Sequence, residues 1–242
     1  MTAALVGITL RALLNRRRTL LLGLLGVLLV VVAAVYRLSG PPESESLEVT
    51  RRLLADFGIA VLLPLVAVIV ATAALGSELE DGTIVYLLAR PVPRSLIVLV
   101  KLGVSWLVTS LLVAPAIFVA GIVGHPDGQM AFGFAAASVL GALEYCAVFV
   151  ALSLVTSRAL IVGLAYVVVW EGFVAALFAG TRAVSVRQHT LAVAEALGGS
   201  GASGSAELEL ANAVVIGAIV VAGATVLAIR RLERVELRGE TS

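Results

Sequence analysis

A chain of 242 residues that is 60% hydrophobic and only 14% charged cannot clothe itself for water, because a soluble domain must cover its exterior with polar groups. With its 23 glycines added, the apolar share reaches roughly two-thirds against about 45–50% for soluble domains, and the mean hydropathy of +1.09 agrees. A formal charge of +1 gathers no nucleic acid and the single Cys146 builds no disulfide framework, so the composition leaves an integral membrane protein and excludes the soluble enzymes.

A helix crossing about 30 Å of hydrocarbon needs about 20 apolar residues, and on that measure the sequence predicts six spans. The stretch Thr2–Arg18 ends in Arg16, Arg17 and Arg18 and is expected to lie on the inner surface as an elbow helix. Residues 19–36 form the first span; the run is longer than a secretory core and lacks a small-residue cleavage site. Residues 57–77 and 102–124 form the second and third, both free of charge. The fourth, 131–153, is interrupted only by Glu144, and the fifth, 159–179, only by Glu171. The sixth covers 210–229, and the Arg/Glu alternation after it is expected to prolong that helix. Continuous apolarity without in–out alternation excludes a barrel. The fold class is therefore an all-α membrane protein with a single domain over residues 1–242.

Twelve basic residues fall on the side of the N-terminus and five on the other, which places both termini in the cytoplasm. Arginine supplies 16 of the 17 basic residues, with Lys101 the sole lysine, a bias that points to a GC-rich bacterial source; a multi-pass protein of such a source is expected in the plasma membrane. The connections at 125–128 and 156–158 are short, so the helices they join are antiparallel neighbours. Two connections are long. The outer one, 180–209, contains the Gly/Ser stretch Gly198–Ser205, expected to be flexible, preceded by the segment Thr181–Leu197, which can form one or two short helices dipping back into the bilayer as an outer gate. No internal repeat is visible, which weakens an inverted-repeat transporter.

The long inner connection, residues 76–101, reads GSELEDGTIVYLLARPVPRSLIVLVK. Ser77 and Glu80 have capping-box spacing, and Glu78, Glu80 and Asp81 favour the positive end of a helix. Ile84, Leu87 and Leu88 make one apolar face, and Pro91 stops the helix. Such a helix either lies on headgroups or docks to a cytoplasmic partner. Its acidic start, which anionic lipid repels, favours the partner. The series Glu78, Gly82-Thr83, Leu87-Leu88, Pro91, Arg94, Lys101 resembles the signature of type-2 ABC exporter permeases. The topology is similar over the whole chain, the motif over about 25 residues. Trp170-Glu171-Gly172, followed by Arg182 and Ser185, is a second, weaker likeness.

The resemblance implies an exporter permease that works as a dimer, most simply of two copies of this chain, with two ATPase subunits. The short helix would be the coupling helix. Glu78 and Arg94 would bracket it, Glu80, Asp81 and Thr83 would belong to it, Gly82 would allow a close backbone approach, and Leu87 and Leu88 would fill the apolar contact. ATP and Mg would be bound by the partner. This chain itself has no Gly-Lys-Ser/Thr phosphate loop, since Lys101 follows Val100 and precedes Leu102, so no enzyme activity and no cofactor are expected of it.

Glu144 and Glu171 both fall near mid-bilayer, where a carboxylate must face protein or water. They are candidates for the translocation pathway or the dimer interface, with Trp170 beside the second. The alternative is a structural role, bonded to Ser153 or Tyr166. Pro64 and Pro115 can kink spans 2 and 3. His125 and His189 fall in outer loops, too sparse for a metal site and leaving no histidine in the spans for hydrolysis. The alternative function is an ATP-independent channel or secondary transporter, which leaves the amphipathic inner segment unexplained.

Overall fold

The computed structural model describes residues 7, 16–80, 93–177, 179–204 and 206–239, and these are helical with no strand among them. Helix α1 is Arg16–Leu38 and α2 is Glu43–Arg52. A π-helical segment, Leu53–Leu62, carries α2 without interruption into α3, Leu63–Glu80. Helix α4 is Arg94–Gly124 and α5 is Gly128–Val155. Helix α6, Ala159–Ala165, passes through a second π-helical segment, Tyr166–Val174, into the short α7, Ala175–Leu177. A 3-10 turn, Ala179–Val184, leads to α8, Val186–Gly198. A further 3-10 turn, Gly199–Ala202, precedes the long α9, Leu210–Gly239.

Among the described residues, five stretches are long and apolar enough to cross a membrane: Leu20–Leu38, Glu45–Ala74, Arg94–Gly124, Gly128–Val155 and Leu210–Arg234. The apolar helix Ala159–Val174 is shorter. The second helix starts at Glu43, well ahead of the expected residue 57. The reason is local: Glu43 and Glu45 sit in the first turn and Arg51 and Arg52 in the last, matching the helix dipole, and Glu48 bonds both arginines at 2.6–2.7 Å. Helix α4 likewise starts at Arg94 behind Pro93, so Lys101 is a buried helical residue instead of the end of a loop. Helix α9 continues to Gly239, as the Arg/Glu alternation predicts.

Pro64 accounts for where the first π segment stops. It has no N–H and its ring crowds the carbonyl four residues back. The last π bond runs from the Leu63 N–H to the Gly58 carbonyl, immediately before it. The second π segment holds no proline and nothing in its sequence explains its register.

Helix association in lipid gains little from apolar burial and depends on close van der Waals contact between small residues. That is how this bundle is closed. A Cβ on Gly121 of α4 would lie 2.7 Å from the Ala131 Cβ of α5, and one on Gly163 of α6 would lie 2.5 Å from Val68 of α3. Polar bonds fix the register of α4 on α5: the Trp106 indole N–H donates to the Val139 carbonyl at 2.8 Å, and Thr109 Oγ1 lies 3.5 Å from Cys146 Sγ. Phe149 stacks on Tyr145 and meets Tyr166 edge-on.

The connections at 39–42 and 125–127 meet at one end of the bundle, where Ser46 Oγ is 2.8 Å from His125 Nδ1. This end is called the first-connection end below. Asp127 caps α5 there, accepting from the Gln129 and Met130 N–H groups at 3.0 and 3.1 Å. Its second carboxyl oxygen presses on Gly201. Asp127→Ala is expected to cost about 1–2 kcal/mol, read as a small drop in the thermal unfolding temperature.

The Gly198–Ser205 stretch does not behave as its composition suggests. Among its described residues, Gly199–Ala202 form a 3-10 turn with Ala202 fully buried. Gly199 has φ +62°, a conformation that glycine adopts freely and that lets the chain leave α8 sharply. The absence of side chains here serves close approach, not flexibility.

Candidate functional site

The site is built around the first turn of α8. This helix of 13 residues is too short to span. It lies against α5 with its C-terminal end at the first-connection end and its first turn midway along the bundle. A Cβ at Gly133 would strike the Gly198 backbone, and one at Gly141 would strike the Thr190 side chain. The two helices therefore run antiparallel along a seam with almost no room. His189 comes to rest beside Glu144, 16 residues past the start of α5. The chain is thus at mid-bundle between the shorter apolar helix Ala159–Val174 and the last long apolar helix.

Glu171, in the second π segment, is 3% exposed and caps this helix. Its Oε2 accepts from the Ser185 hydroxyl at 2.5 Å and its Oε1 from the Val186 N–H at 3.0 Å. The Tyr166 hydroxyl adds a longer bond of 3.3 Å to Oε1. Ser185 is also the N-cap of α8, its Oγ accepting from the Gln188 N–H at 3.3 Å. The carboxyl group thus occupies the positive end of a helix, where first-turn N–H groups lack partners.

One turn on, His189 is 1% exposed, and its Nδ1 is 2.8 Å from Glu144 Oε2. Its Nε2 is 3.0 Å from the Ala183 carbonyl. A carbonyl only accepts, so Nε2 carries a proton. The Nδ1–Oε2 bond then holds one proton, on either partner, and the pair is neutral overall in both cases. That neutrality is what lets Glu144, 8% exposed, stay in an apolar bundle without the cost of an isolated charge. Gly217 of α9 makes room for it, since a Cβ there would lie 2.5 Å from Glu144 Oε1.

Between these two contacts, Arg187 Nη2 bonds Asp56 Oδ1 of the first π segment at 2.7 Å. The residues from Ser185 to His189 therefore engage carboxylates from three helices, and both π segments contribute one. The connection onward to α9 is pinned to α8 as well: Glu195 accepts from the Gly204 and Ala206 N–H groups at 3.1 and 3.0 Å. Arg182 pairs with Glu207.

Among the residues expected to be functional, the structure brings Glu144 and Glu171 to successive turns of one helix. Both are enclosed by this chain's own groups. Tyr166 serves Glu171 as the structural alternative anticipated, whereas Ser153 bonds the Phe149 and Val150 carbonyls of its own helix. Trp170 is half-buried, and its enclosed indole N–H has no acceptor among the described residues. Glu78 and Glu80 lie in the last turns of α3, and Arg94 opens α4. Asp81, Gly82, Thr83, Leu87 and Leu88 lie outside the described residues, as does the expected elbow segment Thr2–Arg18, except for Gly7 and for Arg16–Arg18, which open α1. Among the described residues no three His, Cys, Asp or Glu side chains converge as a metal site.

Placing His189 in a loop is corrected by the structure, as is the inference that no histidine sits among the spans. The signal was present. Val186, His189-Thr190 and Val193 recur at helical spacing behind a capping serine. Asp56 gave no signal of its own.

A bundle of long apolar helices around a buried carboxyl–histidine centre defines a polytopic membrane protein. A family model described as ABC-2 family transporter protein matches residues 14–181, well over half of the chain, and the chain belongs to that family. It is a transporter permease, and an ABC ATPase is its general kind of partner. No curated protein matches the chain.

Proposed function

We propose that this chain is the transmembrane subunit of an ATP-driven exporter. Two copies form the pathway, and two separate ATPases bind through the 77–94 segment. In this reading the helix from Ala159 is a true sixth span, Thr2–Arg18 is the elbow helix, and both termini are cytoplasmic in a bacterial plasma membrane. The first-connection end then faces outward. One observation carries the reading: α3 runs unbroken to Glu80 and α4 begins at Arg94, so the signature-bearing segment joins two adjacent membrane helices at the end opposite the first connection. Movement of that segment is delivered directly to two spans. ATP and Mg belong to the partner, since this chain's sole lysine is Lys101 within α4 and it has no phosphate loop of its own.

Helices α1 and α9 and the Ala159–Leu177 helix leave large apolar side chains exposed, among them Leu24, Val31, Val168, Phe173, Val215 and Ile219. Lipid or a second copy covers them. In proteoliposomes holding both subunits, Glu78→Ala or Arg94→Ala is expected to preserve insertion and basal ATP hydrolysis while abolishing most ATP-dependent export. Unchanged coupling in both variants refutes the assigned role of this segment. Full transport by the permease purified without any ATPase overturns the exporter reading.

A further inference from the structure

We propose that Asp56, with the apolar wall beneath it, is a binding subsite for the cationic head of an amphiphilic amine, reached from the first-connection end. Its place on an export route rests on the transporter reading above, whereas the subsite itself follows from geometry and charge.

Contacts between α4 and the helix that runs from Glu43 to Glu80 fix the depth of Asp56. A Cβ on Gly124 would strike the Thr50 side chain at 2.6 Å, one on Gly121 would lie 3.3 Å from Leu54, and one on Gly58 would lie 3.3 Å from Ile117. Asp56 is therefore level with Val119, more than a turn below the end of α4. On α4 the side chains at that level and beyond it, Val119 and Ile122, are apolar and exposed, as lipid requires. A bilayer that wets Ile122 covers the level of Asp56 as well. Yet the Asp56 side chain is 67% exposed, and a carboxylate turned to lipid is strongly disfavoured. The face that carries Asp56 is therefore turned to water.

That face is graded along its length. Arg52 and Asp56 are exposed four residues apart, with Glu48 a further four outward and bonded to Arg52. Val61 follows about one π turn inward and is exposed, and Leu65 and Ile69 continue the same face half-buried. Charge thus gives way to apolar surface, and the surface closes, along one line into the bundle. An amphiphile with its head outward matches that order.

The sign of the head follows from which charged atoms are open. Arg187 is 26% exposed, spends Nη2 on Asp56 Oδ1, and keeps its Nε enclosed. Arg52 is bound by Glu48 at 2.7 Å and lies nearer bulk water, where a charge counts for less. Asp56 Oδ2 meets no donor among the described residues. The deepest open charged atom on the face is an acceptor, and an ammonium N–H fits it. Because Arg187 already meets part of the carboxylate's charge, a bound amine is held loosely enough to leave.

Reporter cysteines in a Cys146→Ala background test this on the full-length permease in nanodiscs, without an ATPase. Val61→Cys sits under Asp56. Phe118→Cys, exposed on α4 at the level of Gly58, is the lipid-facing control. Each is labelled with a methanethiosulfonate bearing either a trimethylammonium or a sulfonate group. Val61→Cys is expected to react faster with the cationic reagent, and Phe118→Cys with neither. Octylammonium is expected to protect Val61→Cys, and octanol, its uncharged analogue, to protect far less. Asp56→Asn raises the octylammonium concentration for half protection about tenfold, equivalent to about 1.4 kcal/mol. Arg187→Gln lowers it, because it uncovers the carboxylate. An ion pair with only a structural role moves both variants the same way.

A Val61→Cys reporter as silent as Phe118→Cys means that lipid or a second copy covers this face, and overturns the subsite. Faster labelling by the anionic reagent overturns it too, as does unchanged protection in Asp56→Asn. Asp56 is surface-placed, so Asp56→Asn decides the question even if Arg187→Gln fails to fold. Binding at Asp56 in a chain that exports nothing with an ATPase keeps the subsite and removes the exporter reading. ATP-driven export of octylammonium that is indifferent to Asp56→Asn does the reverse.

Discussion

Gly133→Ala is expected to destabilise the protein by about 3 kcal/mol or more, at the upper end of the range for forced overpacking. The added methyl meets the N and Cα atoms of Gly198, and backbone on a seated helix cannot rotate aside as a long side chain would. Helix α8 must then lift from α5, straining the Glu144–His189 contact further along the same seam. Gly223→Ala of α9 is the matching control. No atom lies within 4 Å of its added Cβ, and alanine is the better helix former. Thermal unfolding in detergent checks both: a clear drop for the first and none for the second. Equal behaviour would mean that α8 is not seated on α5 as described.

The second large effect is expected at the buried pair, where two substitutions should differ. His189→Ala leaves Glu144 enclosed with no partner for its carboxyl, and breaking a buried pair in this way costs about 3–5 kcal/mol. Glu144→Gln keeps a side-chain group that can donate an N–H to the unprotonated Nδ1 while Nε2 stays bonded to the Ala183 carbonyl, so its loss is close to that of one hydrogen bond, about 1 kcal/mol. The order of unfolding temperatures is therefore parent, Glu144→Gln, His189→Ala. A reversed order would mean that the pair is not held by the single shared proton its geometry implies.

The spans were legible because the signal is local. Lipid is the solvent, and any stretch such as 102–124 that is continuously apolar and long enough must be helical within it. The ends were less legible, because hydropathy reports the solvent and not the helix. Residues 43–56 are polar enough to read as a loop, yet Glu48, Arg51 and Arg52 satisfy one another on a helix surface. The Gly/Ser stretch after α8 failed for a related reason: glycine marks flexibility in water and close approach in a bundle, and composition alone does not separate the two. Glu144 and Glu171 were visible as anomalies, since an acid in an apolar run demands a partner. Their partners were not visible.

What the sequence by itself determined was the solvent this chain folds in, the rough place of its apolar helices, its family likeness and the two acids that need explaining. Those follow from composition, periodicity and short motifs, which act within a few residues. Only the tertiary structure decided that His189 meets Glu144 across 45 positions, that Ser185 meets Glu171 across 14, and that Arg187 meets Asp56 across 131. Each pairing exists because a short helix returns between two long ones at a depth set by glycines on α5. That depth is a property of how backbones approach one another, and no single stretch of sequence contains it.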